Sequence, residues 1–268
     1  MKLLTINTHS LSEENQDKKL LILADAIEEL KPDVVAMQEV NQTINGAVLE
    51  MDSLKNVFIL GDVPPKKDNY AIALLNELER RKIKYNLCWT GFKKSYEQLD
   101  EGIAIMSGSK IDEYESHTVS NTDDYNNWRK RKIVGIKTQE QWFYSLHLGW
   151  WHDDEEPFLK HWRKLLKAVQ NKENVWLMGD FNSEADVCGE GYSAVLNSGW
   201  YDTYELAQKK DNGYTASGKI DGWQDSKTKR IDYIFTNNKK CIKSSNLIFD
   251  EKKYGIISDH FGIIIEVE

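Results

Sequence analysis

The sequence is short of three things, and each shortage removes a class of protein. It has three cysteines, Cys88, Cys188 and Cys241, widely spaced and without a Cys-x-x-Cys pair. That argues against a disulfide framework and a structural zinc site and fits a reducing compartment. It has no apolar run approaching the roughly 20 residues of a membrane span. Its opening residues, MKLLTINTHS, turn polar too early to form the core of a secretory signal. A soluble, cytoplasmic chain with no membrane partner is the expectation. Net positive charge is also missing: the formal balance is −8 and the pI is near 5.4. Such a chain has no electrostatic footprint for a tight, sequence-independent hold on nucleic acid, although a local basic patch would still permit a nuclease.

What is present is enough for one large core. With 268 residues, 40% of them hydrophobic, the chain is expected to form a single domain over residues 1–268. Nine tryptophans and 12 tyrosines are a high aromatic load, and those outside periodic segments are candidates for ligand stacking.

Periodicity predicts a strand over Lys2–Asn7. A helix follows over Asp17–Lys31, where Leu20, Leu23, Ala24, Ile27 and Leu30 recur at helical spacing before Pro32. A strand over Asp33–Gln38 leads into an irregular stretch, then a helix over Asn69–Arg81 and strands at Tyr85–Thr90 and Gly102–Ser107. The polar segment Tyr114–Trp128 reads as a loop. Arg131–Thr138 and Gln141–Leu146 read as antiparallel strands, and Pro157 opens a helix with Phe158, Trp162, Leu165, Leu166 and Val169 on its buried face. A strand over Val175–Met178, a short helix near Tyr192–Asn197, a Gly- and Lys-rich loop, and strands at Arg230–Thr236, Asn246–Phe249 and Gly262–Val267 complete the reading. Polar groups fall repeatedly at strand ends: Asn7, Gln38-Glu39, His147, Asp180 and Asn182, and Asp259-His260 before the last strand. Groups placed there can converge on one sheet rim with the rigidity a reaction needs.

The ordered segments INTHS, MQEV, DEGIAIMS, SLHLG, GDFNSEAD, RIDYIF and SDHFG, spanning residues 3–265, resemble the motif set of the endonuclease/exonuclease/phosphatase superfamily. The resemblance implies a four-layered α/β sandwich, two mainly antiparallel β-sheets packed face to face with helices outside. The segments NTHS, TDDYNNWRKRKIVGI and HLGWWHDDEEPFLKHW are most similar to a bacterial branch that includes maltose 6'-phosphate phosphatases.

The implied activity is metal-dependent hydrolysis of a phosphate ester, with Mg2+ or Mn2+ as the cation. Glu39 is a hard oxygen ligand of the kind Mg2+ prefers, and the resemblance adds Asn7 and Asp259 to the metal site. His9 stands where many nuclease members carry an acidic residue, which bears on a second metal position. By the same resemblance, Asp180 positions or deprotonates the attacking water and Asn182 donates to a phosphate oxygen. Asp232 orients His260, and His147 and His260 face the phosphate. Read alone, Asp180 and Asn182 also suit a turn, and a single histidine suits a structural role. The cluster Trp128-Arg129-Lys130-Arg131 sets cations beside an aromatic surface, so Arg129 and Arg131 are candidate phosphate ligands. Among the loop tryptophans Trp150, Trp151 and Trp223, Trp151 and Trp223 are taken as platforms for a sugar ring. The expected substrate is a small sugar phosphate, such as maltose 6'-phosphate, with a Mg2+-dependent nuclease or other phosphodiesterase as the alternative. No Ser or Cys nucleophile motif competes, and no protein partner is inferred.

Overall fold

The computed structural model describes residues 1–50, 54–218, 220, 223 and 227–268. The first half of the chain contributes β1 (Lys2–Asn7), α1 (Gln16–Leu30), β2 (Val34–Gln38), β3 (Gln42–Thr43), β4 (Val57–Ile59) and α2 (Tyr70–Arg80). It continues with β5 (Asn86–Ser95), β6 (Leu99–Ser107), β7 (Glu113–Thr118), β8 (Lys132–Thr138) and β9 (Gln141–His147). The second half adds α3 (Phe158–Val169), β10 (Val175–Asp180), α4 (Gly191–Asn197), β11 (Tyr201–Asp202) and α5 (Thr203–Leu206). The chain closes with β12 (Ala207–Lys210), β13 (Asp232–Thr236), β14 (Ile242–Ile248) and β15 (Gly262–Val267).

Among the described residues these strands form two sheets. One runs β12-β14-β15-β1-β2-β6-β5-β4, with β3 also on β6, and the other runs β11-β13-β10-β9-β8-β7. Most neighbours are antiparallel; β1–β2, β4–β5, β12–β14 and β9–β10 are parallel.

Alternation along the strands explains the layers. Leu3, Ala36, Ile105, Val134, Phe143, Trp176, Met178, Ile234 and Ile265 meet between the sheets. The alternate residues Leu4, Ile6, Val35, Met37 and Met106 turn to the opposite face, against Leu23, Ile27, Leu74 and Leu78 of α1 and α2. On the far side Tyr144, Leu146, Leu177 and Phe235 cover Phe158, Trp162 and Leu165 of α3. Strands buried on both faces read as near-continuous apolar runs, and period-2 geometry sends neighbours to opposite layers. The result is the four-layered sandwich expected from sequence. No helix among the described residues is long and apolar enough to cross a membrane.

Several stretches depart from the expected elements: β4 lies in the expected irregular stretch, and β11, α5 and β12 lie in the expected Gly- and Lys-rich loop region. The segment Tyr114–Trp128 was expected to be loop, but its first residues lie in β7, paired with β8 from Glu113↔Lys137 to Thr118↔Lys132. An edge strand keeps one flank in water, so EYESHT lacks the apolar alternation that would reveal it. The β5–β6 hairpin also runs beyond the predicted strands, to Ser95 and back from Leu99.

A polar pin crosses between the sheets just behind the rim. Gln38 Nε2 donates to Ser145 Oγ at 2.9 Å, and Ser145 Oγ donates to the Met37 carbonyl at 3.1 Å. At the same level Gly179 has φ +146°, and a Cβ there would sit 2.0 Å from the Leu146 carbonyl oxygen. Only glycine lets β10 approach β9 this closely immediately before Asp180.

Candidate active site

Strand register assembles the centre of the site. Asn7 pairs with Gln38 across β1–β2, Asp180 pairs with His147 across β9–β10, and Asp180 also pairs with Asp232 across β10–β13. Asp180 therefore lies between a histidine-bearing strand and an aspartate-bearing one. Glu39 and Asn182 follow their strands in left-handed backbone conformations, with φ +51° and +48°. That conformation is uncommon for non-glycine residues and is retained where the surroundings determine it.

The side chains form a connected network. Asn7 Nδ2 donates to Glu39 Oε1 at 2.9 Å and to Asp180 Oδ2 at 3.2 Å, joining the two sheets. Asp180 Oδ1 accepts from the Asn182 backbone N–H at 2.8 Å. Asn182 Nδ2 donates to the Leu148 carbonyl at 3.0 Å and lies 3.0 Å from His147 Nε2. Because Leu148 O can only accept, the amide is oriented with Nδ2 toward both, and His147 Nε2 is the acceptor. On the other flank His260 Nδ1 meets Asp232 Oδ2 at 2.8 Å, and His260 Nε2 stands 3.9 Å from Asp180 Oδ2.

The two histidines are held in opposite charge states. Burial, with the nearby charges of Arg131 and Lys93, depresses His147 well below the usual imidazole range. Burial would depress His260 as well, but the Asp232 charge and hydrogen bond outweigh it and hold His260 well above that range. Between them, burial and the Asp232 charge push the Asp180 carboxyl up to about 7. A group with that value can exchange a proton near neutrality, as a general base or acid must.

Glu39 meets the requirements of a divalent-cation ligand. Burial and then the Glu101 charge raise its carboxyl above the ordinary value, with Asp259 adding to the effect. Glu39, Glu101 and Asp259 line one cleft, and a hard divalent cation relieves such an accumulation of carboxylates with oxygen donors alone. Asp259 is more exposed than Glu39 and stands 3.9 Å from His9 Nδ1. His9, Glu13 and Asp259 offer ligand atoms within 4.8 Å of one another, yet His9 Nδ1 already meets Glu13 at 2.7 Å and Glu13 also pairs with Lys19. Against the opposing effect of burial, the Glu13 hydrogen bond brings His9 up to about 9, and that contact occupies the ring nitrogen that faces Asp259.

The cleft encloses about 630 Å³ open to solvent. Along with His9, Glu39, His147, Asp180, Asn182, Asp259 and His260 it is lined by Lys93, Tyr96, Glu101, Trp128, Arg131 and Trp150. Arg131 reaches it, but three of the predicted substrate ligands do not. Arg129 turns away to Asp153, with Nε–Oδ2 at 2.9 Å, and to Glu155 at 3.1 Å. Trp151 packs on Phe158 at 6.2 Å between ring centroids. Trp223 lies against Ala216, Ile220 and Ile231. The tryptophans that do line the cleft are Trp128 and Trp150, 5.7 Å apart. Sequence reasoning also gave no role to Lys93, Tyr96 or Glu101. The available signal was a charge inside a paired strand, as in NLCWTGFKKS and LDEGIAIMS, where Lys93 and Glu101 are buried.

Comparison with known proteins identifies the family and the fold. A model of the Endonuclease/Exonuclease/phosphatase family matches residues 4–260. An endonuclease/exonuclease/phosphatase family protein from Leptotrichia buccalis is 36% identical, with a TM-score of 0.87 over 100% of this chain and 99% of that one. Two more distant structures share the fold. A Bacteroides thetaiotaomicron mannosyl-6-phosphatase is 17% identical, with a TM-score of 0.66 over 100% of this chain and 99% of its own. A Neisseria 3' phosphatase bound to a product DNA hairpin is 15% identical, with a TM-score of 0.65 over 100% and 99%. No curated protein matches the chain.

Proposed function

This chain belongs to the endonuclease/exonuclease/phosphatase family, whose members hydrolyse phosphoesters, and from that premise we propose that it is a divalent-metal-dependent phosphomonoesterase acting on a small sugar phosphate. Maltose 6'-phosphate is the substrate favoured by the sequence. The observation that carries the reading is the composition of the cleft, which combines the reactive rim with Trp128, Trp150, Lys93 and Arg131. In a protein of net charge −8, so few local cations suit a small, singly phosphorylated ligand far better than a polyanion. Flat indole surfaces suit the apolar face of a sugar ring. The mannosyl-6-phosphatase with the same fold supports the same substrate class.

Glu39 would hold the cation, which the resemblance makes Mg2+ or Mn2+, with Asn7 orienting Glu39 and Asp259 contributing from the cleft edge. When bound, such an ion polarises a phosphoryl oxygen and neutralises charge on the leaving oxygen. The protein groups do the rest. Asp180 takes a proton from a water aimed at phosphorus; the new O–P bond forms as the P–O bond to the sugar breaks in line, and the sugar oxygen leaves to be protonated. Charged His260, fixed by Asp232, donates through Nε2 to an equatorial oxygen. Neutral His147, accepting from Asn182, holds that amide in place beside Asp180.

Release of inorganic phosphate from maltose 6'-phosphate, 3'-phosphorylated DNA and abasic DNA, with Mg2+ and with chelator, tests the reading. Rapid, Mg2+-dependent turnover of the sugar phosphate over both DNAs is expected. The reverse preference would establish the nuclease or DNA 3'-phosphatase alternative, which the Neisseria structure represents in this fold.

A further inference from the structure

The cleft beside the reactive rim carries unused hydrogen-bonding capacity. Arg131 Nε, Trp150 Nε1 and His147 Nδ1 are buried without a hydrogen-bond partner among the described residues, and Glu101 Oε1 meets only the Lys93 ammonium, 3.0 Å away. Their side chains line the same cleft, and Glu101, Arg131 and His147 are 4%, 2% and 7% exposed. Unpartnered buried polar atoms are few in native proteins, and each costs its full desolvation unless something supplies the missing bond.

The wall is rigid around these atoms. Arg131 Nη1 donates to the carbonyls of Trp128 at 2.8 Å and Lys130 at 3.1 Å, which fixes the guanidinium plane. Lys93 Nζ donates to the Trp128 carbonyl at 3.0 Å. It also pairs with Glu101 Oε1 at 3.0 Å, which leaves the rest of that carboxylate to accept further bonds. Trp128 and Trp150, tilted 55° to each other, present apolar faces at the same end.

The chemistry of the vacant bonds identifies the ligand group. Arg131 Nε–H and Trp150 Nε1–H can only donate, whereas the Glu101 carboxylate can only accept. A phosphate oxygen would satisfy the donors but has no hydrogen to offer the Glu101 carboxylate. A hydroxyl both donates and accepts, and neighbouring hydroxyls on one ring answer both needs. We propose that Glu101, Arg131 and Trp150 form a hydroxyl-reading subsite that selects the leaving group as a polyol ring, with Glu101 as the specificity-determining acceptor. The assignment rests on the phosphomonoesterase reading above and deepens it. Such a subsite would disfavour DNA, whose deoxyribose lacks the 2' hydroxyl and whose other hydroxyls are esterified.

The test compares a hexose 6-phosphate with its 2-, 3- and 4-deoxy analogues and with 3'-phosphorylated DNA, measuring kcat/KM for phosphate release in Mg2+ by the wild-type enzyme, Glu101→Gln and Trp150→Phe. In the wild type at least one deoxy analogue is expected to lose about tenfold or more, because a site built around a substrate hydroxyl rejects the analogue lacking it. In Glu101→Gln that ratio should shrink to within about threefold of unity whatever the variant's absolute rate, since the coupling belongs to the residue and the hydroxyl together. Trp150→Phe keeps an aromatic ring and deletes the indole N–H, so it should lower the ratio as well, and it decides the matter if Glu101→Gln is inactive on every substrate. A flat deoxy series in an enzyme that turns over hexose phosphate, or a full ratio retained in both variants, would overturn the subsite alone. Turnover of the DNA 3'-phosphate with none of any sugar phosphate would overturn the parent reading.

Discussion

At the floor of the cleft, Asn7, Glu39, His147, Asp180 and Asn182 lie at or within two residues of the ends of β1, β2, β9 and β10. Its aromatic wall instead draws Trp128, Arg131 and Trp150 from loops and Lys93 and Glu101 from the β5–β6 hairpin. The floor is positioned by ladder register, so moving any of its groups means slipping a strand and turning a whole face inside out. The wall is positioned by side-chain contacts, such as Lys93 and Arg131 both donating to the Trp128 carbonyl. On the function proposed above, reaction chemistry rests on groups set by strand register, and selection of the leaving group rests on groups set by individual contacts.

If the floor carries the chemistry, the largest loss comes from Glu39→Gln. A neutral amide keeps the shape and the Asn7 contact but removes the buried anionic ligand, and phosphate release should fall on the order of a thousandfold. Near-wild-type activity of this variant in chelator would refute a metal held there. Asp232→Asn should cost less, about a hundredfold, the scale of a general-acid or orienting contribution. It also has a signature in pH. Asp232 holds His260 well above its ordinary value, so without that charge His260 deprotonates at lower pH. The alkaline limb of the rate profile should therefore move toward acid. An unmoved profile would make the pair structural.

A further contrast concerns stability. Asp180 has its carboxyl raised from 3.8 to about 7, so in the folded protein it stays protonated after the unfolded chain has lost that proton. Its contribution is present in full below about pH 4 and is lost as pH rises to about 7. Melting temperatures in chelator should therefore decline over that window in the wild type and decline less in Asp180→Asn. Equal slopes would mean that Asp180 is ionised throughout.

The same contrast explains what the sequence disclosed. Asn7, Glu39, Asp180 and His260 stood out because a polar residue beside the end of an apolar strand has a definite address, and the layered sandwich came with the family resemblance; the alternation that places Leu3 and Leu4 in different layers is its physical basis. The tryptophans had no such address. Trp150 and Trp151 are adjacent in a loop, and sequence offers nothing to say that Trp150 faces the cleft while Trp151 stacks toward Phe158. Glu101 was hidden for the opposite reason, since a charge in a strand reads as an edge residue until Lys93 is seen beside it at 3.0 Å.

The smallest expected effect separates two arginines two residues apart. Arg131 is buried at the cleft with its guanidinium fixed by carbonyls, whereas Arg129 lies over the Trp128 ring at 4.4 Å and pairs with Asp153 and Glu155 near the surface. The Arg129–Asp153 pair is half-buried, so its loss bears on stability, but Arg129 does not line the cleft. Arg129→Ala should therefore leave kcat/KM within about twofold of wild type, while Arg131→Ala lowers it about tenfold or more, as expected for a buried charged donor facing substrate. Parallel kinetics on one sugar phosphate, with melting curves to confirm folding, make the comparison. Equal losses would mean that the Trp128 loop acts on substrate as a unit, with Arg129 setting the indole and the indole setting the wall. The separation between a floor fixed by register and a wall fixed by individual contacts would then have to be drawn one loop further out.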